Sequence, residues 1–103
     1  MELLWSTRFK KWISSLRDKS GQRRILYVLE KSQSTGKIQG DTKHVGEGIY
    51  EMRFHFGPGY RVYYTVVGNV TIFLLAGGDK SSQERDIRLA KQIAKALKEE
   101  DDD

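Results

Sequence analysis

The sequence predicts an α+β fold in which an antiparallel sheet packs on an N-terminal αα-hairpin and a C-terminal helix. This fold class is predicted from the spacing of apolar residues, which changes from helical to alternating and back to helical along the chain. Apolar residues recur three and four positions apart in residues 9–29 and again in residues 87–97, as on the buried side of a helix. In residues 49–67 they alternate with polar residues, as in half-buried strands. The predicted order is β-α-α-β-β-β-α, within a single domain of residues 1–98.

The first part of the chain is predicted to form a strand and two helices. Residues 2–6 have the pattern of a short strand. The first helix follows, with an apolar stripe formed by Phe9, Trp12, Ile13 and Leu16. Asp18 is a suitable N-cap for the second helix, predicted over residues 19–32, and Thr35-Gly36 provides its end. The short connection between the helices favours an αα-hairpin.

The rest of the chain is predicted to be a loop, three strands and a helix. Residues 36–48 carry four glycines and few apolar residues, which predicts a loop in which only Thr42 to Val45 could be extended. A hairpin follows, and after a turn at Gly68-Asn69 the apolar residues 70–76 predict a central strand. Residues 83–98 predict the last helix, and residues 99–103, EEDDD, a disordered acidic tail.

The predicted hairpin joins residues 49–56 to residues 60–67 through Gly57-Pro58-Gly59. If Phe56 pairs with Tyr60, His55 opposes Arg61, so that two cations face each other. One face of the hairpin is aromatic and suits the apolar stripes of the helices. The other face is predicted to be open, with Lys43 and Lys80 nearby; it carries Glu51, Arg53, His55, Arg61 and Tyr63.

Composition and charge narrow the possible functions. The net charge is +4, but residues 1–98 hold all 18 basic residues and nine of the 14 acidic ones, which favours a phosphate-bearing partner. The absence of cysteine excludes disulfides and thiol chemistry, and with only two histidines neither a metal site nor a cofactor is expected. No apolar run reaches membrane-spanning length, and the start lacks the features of a signal peptide, so a cytoplasmic protein without membrane contact is expected.

The predicted open face suits a phosphodiester backbone. Arginine binds phosphate through two parallel hydrogen bonds, tyrosine can stack on a base, and histidine can move a proton. RNA can be cut when its own 2′-hydroxyl attacks the adjacent phosphorus, which requires a base, a cation and an acid. Plainer interpretations stay open, because Glu51 could only form an ion pair, His55 could only be solvated, and Tyr63 could only pack.

Four segments carry a family resemblance. They are Phe9-x-x-Trp12-x-x-x-Leu16; Gly40-Asp41-x-Lys43-x-Val45-Gly46-x-Gly48-x-x-Glu51-x-Arg53; Gly57-Pro58-Gly59-Tyr60-Arg61-Val62-Tyr63; and Leu74-Leu75-x-Gly77-Gly78-x-Lys80-x-x-Gln83-x-x-Asp86-Ile87-x-x-Ala90. Together they resemble the Gp49-like, HigB-type addiction-module killer proteins of the RelE/ParE toxin superfamily. The resemblance covers the chain from about residue 7 to residue 95 and implies the same order of elements.

The resemblance implies a toxin of a type II toxin–antitoxin pair. Its partner would be a small antitoxin, which often has a helix-turn-helix domain. The toxin would contact promoter DNA only through this antitoxin. The RelE and HigB branches imply a ribosome-dependent, metal-independent mRNA endonuclease that inhibits translation. The ParE branch implies a DNA gyrase inhibitor without nuclease activity, and a plain RNA-binding module is a third interpretation.

The resemblance also implies roles for individual residues. Arg61 matches the arginine that contacts the scissile phosphate in RelE-like nucleases, and Arg53 and Lys80 belong to the Gp49-like pattern. The last helix lacks the aromatic residue that RelE-type enzymes carry near the C-terminus, and neither histidine is C-terminal as in HigB, which leaves His55 or Tyr63 for proton transfer. Exposed cations would contact ribosomal RNA: Arg8, Lys10, Lys11, Arg23, Arg24 and Lys43.

Overall fold

The computed structural model describes residues 1–68 and 70–101 as five strands, three α-helices and one 3-10 turn. The elements are β1 (Glu2–Trp5), α1 (Thr7–Ser15), α2 (Lys19–Thr35), β2 (Asp41–Gly46), β3 (Ile49–Arg53), β4 (Arg61–Val67), β5 (Thr71–Gly78), the 3-10 turn (Lys80–Ser82) and α3 (Gln83–Asp101). One sheet has the strand order β1-β5-β4-β3-β2. β1 runs parallel to β5, and the other neighbours are antiparallel.

Side-chain caps set the starts of the two N-terminal helices. The hydroxyl of Ser6 accepts a hydrogen bond from the Phe9 backbone at 3.0 Å, which starts α1. The carboxylate of Asp18 accepts one from the Gly21 backbone at 2.9 Å, so the predicted N-cap of α2 is confirmed. α2 extends three residues beyond the predicted range of 19–32 and ends at the predicted Thr35-Gly36 stop, where Gly36 takes a left-handed conformation.

The predicted order lacks one strand, because the segment expected to be a loop contains β2. This strand pairs with β3 from Asp41 to Gly46, with an irregularity after His44. β2 lies at the edge of the sheet, and residues 42–44 are exposed. Edge strands tolerate polar and charged residues on both faces, so the hydrophobic alternation that reveals an inner strand is missing here. The observed order is therefore β-α-α-β-β-β-β-α.

Helices cover both faces of the sheet, which corrects the expectation that one face is open. On one face α1 and α2 bury Phe9 and Ile25 against an apolar cluster that includes Val62. On the other face α3 packs on a second cluster that includes Tyr63. β4 runs through the middle with side chains buried on both sides, since its first four residues are all buried. Much of the face predicted to be open is consequently interior.

The β3–β4 pairing differs from the prediction by two residues. Arg53 pairs with Arg61, and the predicted pairing of His55 with Arg61 is wrong. The strands end earlier than expected, because the Phe54 backbone donates to the Tyr60 carbonyl at 3.0 Å and closes a longer turn. A shift of two keeps every residue on its predicted face.

The last helix extends beyond its predicted end. α3 continues to Asp101, so the expectation of a disordered tail from residue 99 is wrong for residues 99–101. The tail residues Asp102 and Asp103, and Asn69 of the predicted turn, lie outside the described residues. None of the helices in the described part of the chain combines the length and apolar character needed to cross a membrane.

Candidate functional site

One end of the sheet brings charged side chains from three strands into a row. Asp41 at the start of β2 pairs with Arg53 at the end of β3, and Arg53 pairs in turn with Arg61 at the start of β4. Residues paired in this way lie on the same face, so the two arginines are adjacent. Acids of the protein lie beside both: Asp41 next to Arg53, and Glu51 next to Arg61.

Asp41 holds Arg53 and His55 together at this end. Its Oδ2 lies 2.6 Å from Nε2 of His55, and its Oδ1 accepts a hydrogen bond from Nη2 of Arg53 at 3.2 Å. Both hydrogen bonds hold the pKa of the Asp41 carboxyl below its ordinary value. The hydrogen bond with His55 has the larger effect, and that with Arg53 has the smaller one. The His55 side chain is 68% exposed. Since Nε2 is engaged by the carboxylate, Nδ1 is the ring nitrogen left for a ligand.

Glu51 lies in a buried hydrogen-bonded network under the start of α3. It is fully buried, and its Oε2 accepts hydrogen bonds from the Tyr63 hydroxyl at 3.1 Å and from the Gln83 amide at 2.7 Å. Arg61 approaches the other carboxylate oxygen, with Nε at 3.8 Å from Oε1. This network ties β3, β4 and α3 together at the end of the sheet that carries Asp41.

Tyr63 therefore does not lie on an open face. It is completely buried, and its pKa is raised, chiefly by burial and then by the charge of Glu51. Ala90 of α3 belongs to the same apolar cluster. Of the two interpretations left open for Tyr63, stacking on a base and packing, its position in the core beneath α3 favours packing.

Arg61 is also largely enclosed, at 8% exposure. Its Nη1 donates to the carbonyls of Gly59 at 3.2 Å and Tyr60 at 3.3 Å, so the guanidinium holds the end of the β3–β4 turn. Lys80 is exposed in the 3-10 turn, and a Cβ added at Gly59 would lie 3.4 Å from the Lys80 Cβ. The structure thus brings Arg61 and Lys80 together at this turn.

An open groove of about 680 Å³ runs between α2 and the ends of β2 and β3. Asp41, Arg53 and His55 line it, together with Arg23 and Arg24 of α2. Its apolar lining comes from Tyr27, Val28, Met52, Phe54 and Phe56. The groove therefore combines three arginines and a carboxylate-held histidine with an aromatic and aliphatic lining.

Close packing of α2 on the β3–β4 turn fixes one wall of this groove. The Tyr60 hydroxyl donates to the Asp18 carboxylate at 3.0 Å and ties the turn to the start of α2. A Cβ at Gly21 would lie 2.8 Å from the Tyr60 ring, so the approach requires a residue without a side chain. The position of Phe56 relative to α2 follows from this contact.

The remaining cations with predicted roles lie outside the groove. Arg8, Lys10 and Lys11 are exposed on α1, and Lys43 is exposed on the edge strand β2. None of these four lines the groove. A second open depression, of about 620 Å³, lies at the start of α3 and includes Lys80, Arg85 and Arg88.

Sequence reasoning missed Asp41 and Gln83 as partners of the predicted site residues. The sequence places Asp41 in a predicted loop, and a loop gives no indication of a pairing with Arg53. A signal was nevertheless present: a strand beginning at Asp41 would form a polar edge beside the hairpin and place a carboxylate near its cations. Gln83 gave no such signal, because its contact with Glu51 depends on where α3 crosses the sheet.

Comparison with known sequences gives a family match. Residues 11–99 match the family described as Phage derived protein Gp49-like (DUF891). An uncharacterised protein of Haemophilus influenzae (strain Rd) is 40% identical over 89 residues, which cover 86% of this chain and 88% of that protein.

Comparison with solved structures gives a match of fold. A double arginine-to-alanine mutant of the E. coli toxin RelE in the free state has a TM-score of 0.66 at 19% identity, covering 89% of this chain and 96% of that one. A chain of the intact E. coli RelBE toxin–antitoxin complex has a TM-score of 0.60 at 19% identity, covering 76% and 94%. The five-stranded sheet with three helices is therefore a fold that this chain has in common with RelE.

Proposed function

Because the chain belongs to the phage-derived Gp49-like family, as its sequence resemblance predicted, we propose that it is the toxin of a type II toxin–antitoxin pair. We propose further that it inhibits translation by cutting mRNA on the ribosome. The observation that carries the second step is the open groove in which Asp41 holds His55 beside Arg53. A held imidazole can act as the base of metal-independent RNA cleavage, and a guanidinium next to it can act as the cation.

In the proposed reaction the 2′-hydroxyl of the RNA is the nucleophile. Nδ1 of His55 takes its proton, while Asp41 orients the ring through Nε2 and stabilises the imidazolium that forms. The 2′-oxygen bonds to phosphorus, and the bond from phosphorus to the 5′-oxygen breaks. The products are a 2′,3′-cyclic phosphate and a 5′-hydroxyl end, whose oxygen takes a proton from water. The proton on His55 then neutralises the hydroxide that remains, which restores the neutral imidazole. The reaction needs no redox change and no cofactor.

Arg53 is the proposed phosphate ligand. Its Nε is buried and has no hydrogen-bond partner within the described part of the chain, but the side chain as a whole is 32% exposed. The guanidinium can thus add phosphate contacts to the one that it makes with Asp41. The charge that develops on the phosphorane would meet Arg53 directly, with Arg61 paired next to it in the sheet but largely enclosed.

The other predicted residues take supporting roles in this proposal. Arg61 positions the turn and contributes its field, and Lys80, exposed beside the turn, contacts the RNA backbone. Tyr63 holds Glu51 and takes no part in proton transfer, because its hydroxyl is engaged inside the protein. The exposed cations provide sequence-independent contacts to ribosomal RNA; they are Arg8, Lys10, Lys11 and Lys43.

The proposed partner is a small antitoxin, and the fold shared with a chain of the RelBE complex supports it. An acidic antitoxin segment would neutralise the cations of the groove and block access to His55. The antitoxin, often a helix-turn-helix protein in the superfamily, would be the only link to promoter DNA. Free toxin would act in the cytoplasm, where ribosomes translate.

Primer extension on mRNA from cells that express the chain tests the proposal. We expect new 5′ ends within translated codons and none in cells that express His55→Ala. Western blotting of the variant controls for its amount. Growth arrest with intact mRNA and an induced SOS response would contradict the nuclease function and favour a ParE-like gyrase inhibitor.

A further inference from the structure

The groove beside His55 has an aromatic wall whose purpose the proposed cleavage chemistry does not explain. Tyr27 of α2 is 61% exposed and lines the groove. Among the large apolar residues that are exposed in the described part of the chain, Tyr27 is the one with an aromatic ring. Exposed apolar surface in a concave site is a mark of ligand binding.

Arg24 and Phe56 form a second flat surface in the same groove. The Arg24 guanidinium carbon lies 3.7 Å from the centroid of the Phe56 ring, so the planar cation covers the ring. Arg23 and Arg24 precede Tyr27 by four and three residues in α2, which places all three on neighbouring positions of the helix surface. Guanidinium planes and aromatic rings are the two kinds of surface on which proteins stack unpaired bases.

The size and charge of the groove fit one nucleotide with its flanking phosphates. Its volume of about 680 Å³ falls within the range of about 300–1,000 Å³ that is typical of ligand sites. Arg23, Arg24 and Arg53 supply three positive charges, and Asp41 offsets one of them. An acidic peptide would satisfy the charge, whereas an RNA strand would satisfy the charge and the flat apolar surfaces together.

We propose that this groove is a nucleobase subsite for single-stranded RNA, in which the Tyr27 ring and the stacked Arg24–Phe56 pair hold one base while Arg53 holds its phosphate. Binding in this subsite fixes the position of the base relative to His55. It thereby determines which nucleotide places its 2′-hydroxyl next to Nδ1 of His55. The positioning for cleavage rests on the proposed nuclease function, but the binding of the base does not depend on it.

Binding of a single-stranded 2′-O-methyl RNA oligonucleotide tests the subsite without cleavage, because the blocked 2′-oxygen cannot attack. Its affinity is compared with that of an oligonucleotide of the same length and charge whose bases are removed. We expect wild-type protein to prefer the base-containing strand about tenfold. NMR should show ring-current shifts of the Tyr27 and Phe56 resonances only with that strand.

Three variants define what the preference depends on. Tyr27→Ala should abolish the preference, and Tyr27→Phe should keep it, since the ring alone stacks. Arg88→Ala removes an exposed positive charge of α3 outside the groove and should lower affinity for both strands alike, leaving the preference unchanged. Circular dichroism checks that each variant is folded.

Equal affinity of wild-type protein for both strands would overturn the subsite. So would shifts of the groove resonances with an acidic peptide but not with RNA, which would make the groove an antitoxin-docking surface. Ribosomal cleavage by the same preparations separates the two proposals. Cleavage without base preference removes the subsite alone, and base preference without cleavage removes only the nuclease function.

Discussion

Glu51→Ala removes the carboxylate from the buried network under α3. Glu51 is fully buried and Arg61 is 8% exposed, so the substitution leaves a guanidinium without its nearest countercharge. The Tyr63 hydroxyl and the Gln83 amide also lose their acceptor. Breaking one partner out of a buried ion pair costs about 3–5 kcal/mol. Small domains have a total stability of about 5–15 kcal/mol, so a large part of the unfolding free energy should be lost.

Urea unfolding and thermal unfolding, both followed by circular dichroism, measure this loss. A change of 1 kcal/mol shifts Tm by about 4–8 °C in a domain of this size, so we expect Tm to fall by more than about 12 °C. Glu47→Gln is the control, because the Glu47 side chain is 73% exposed and its oxygen lies 3.9 Å from Lys91. The free energy of unfolding of Glu47→Gln should stay within about 1 kcal/mol of the wild-type value.

The double variant Glu51→Leu with Arg61→Met tests the electrostatic origin of this loss. Apolar residues of similar volume remove both charges together, and such replacements are often neutral or stabilising. We expect the double variant to be more stable than Glu51→Ala. If Glu51→Ala unfolds at the wild-type urea concentration, or if the double variant is the less stable of the two, the assignment of Glu51 as the countercharge of Arg61 is wrong.

Three further substitutions address the site and the fold. Asp41→Asn should slow ribosomal mRNA cleavage by about 10²- to 10⁴-fold, since His55 loses its orienting carboxylate; an unchanged single-turnover rate would contradict this. The pKa of Asp41 is lowered from 3.8, so its contribution to stability is present above that pH and is lost as pH falls towards the folded-state pKa. When Tm is measured at decreasing pH, the difference in Tm between the wild type and Asp41→Asn should therefore become smaller below pH 4. Tyr63→Phe should lower the unfolding free energy by about 1–3 kcal/mol and leave cleavage by the folded protein unchanged, whereas loss of cleavage would return Tyr63 to the chemistry. Gly77→Ala should lower the free energy of unfolding in urea by about 1–3 kcal/mol, because the added Cβ would overlap the Trp12 ring; a stability equal to wild type would refute that contact.

The helices and the inner strands could be predicted because their burial follows their periodicity. Phe9 and Ile13 are buried on α1 as the stripe predicts, and Met52 and Val62 are buried where the alternation places them. Asp18 could be identified as a cap because its side-chain chemistry acts locally. In each of these cases the decisive interaction lies within a few residues along the chain.

The rest depended on contacts between distant segments. Tyr63 alternates with apolar neighbours as a surface residue would, and its burial follows only from α3 crossing that face. The pairing of Arg53 with Arg61 depends on the length of the turn, which sequence alone does not determine. Asp41 became visible as a site residue only when β2 took its place at the sheet edge. Charge pointed to an anionic partner, but the groove required the assembled fold.

The ends of the cleaved RNA test the central claim most directly. Purified ribosomes that carry a defined mRNA are incubated with wild-type protein or with His55→Ala, and the fragment ends are identified by mass spectrometry. The proposed mechanism predicts 2′,3′-cyclic phosphate and 5′-hydroxyl ends for the wild type, and loss of these fragments for folded His55→Ala. Fragments with 5′-phosphate ends, or undiminished cleavage by His55→Ala, would contradict the assignment of His55 and Asp41 to the reaction.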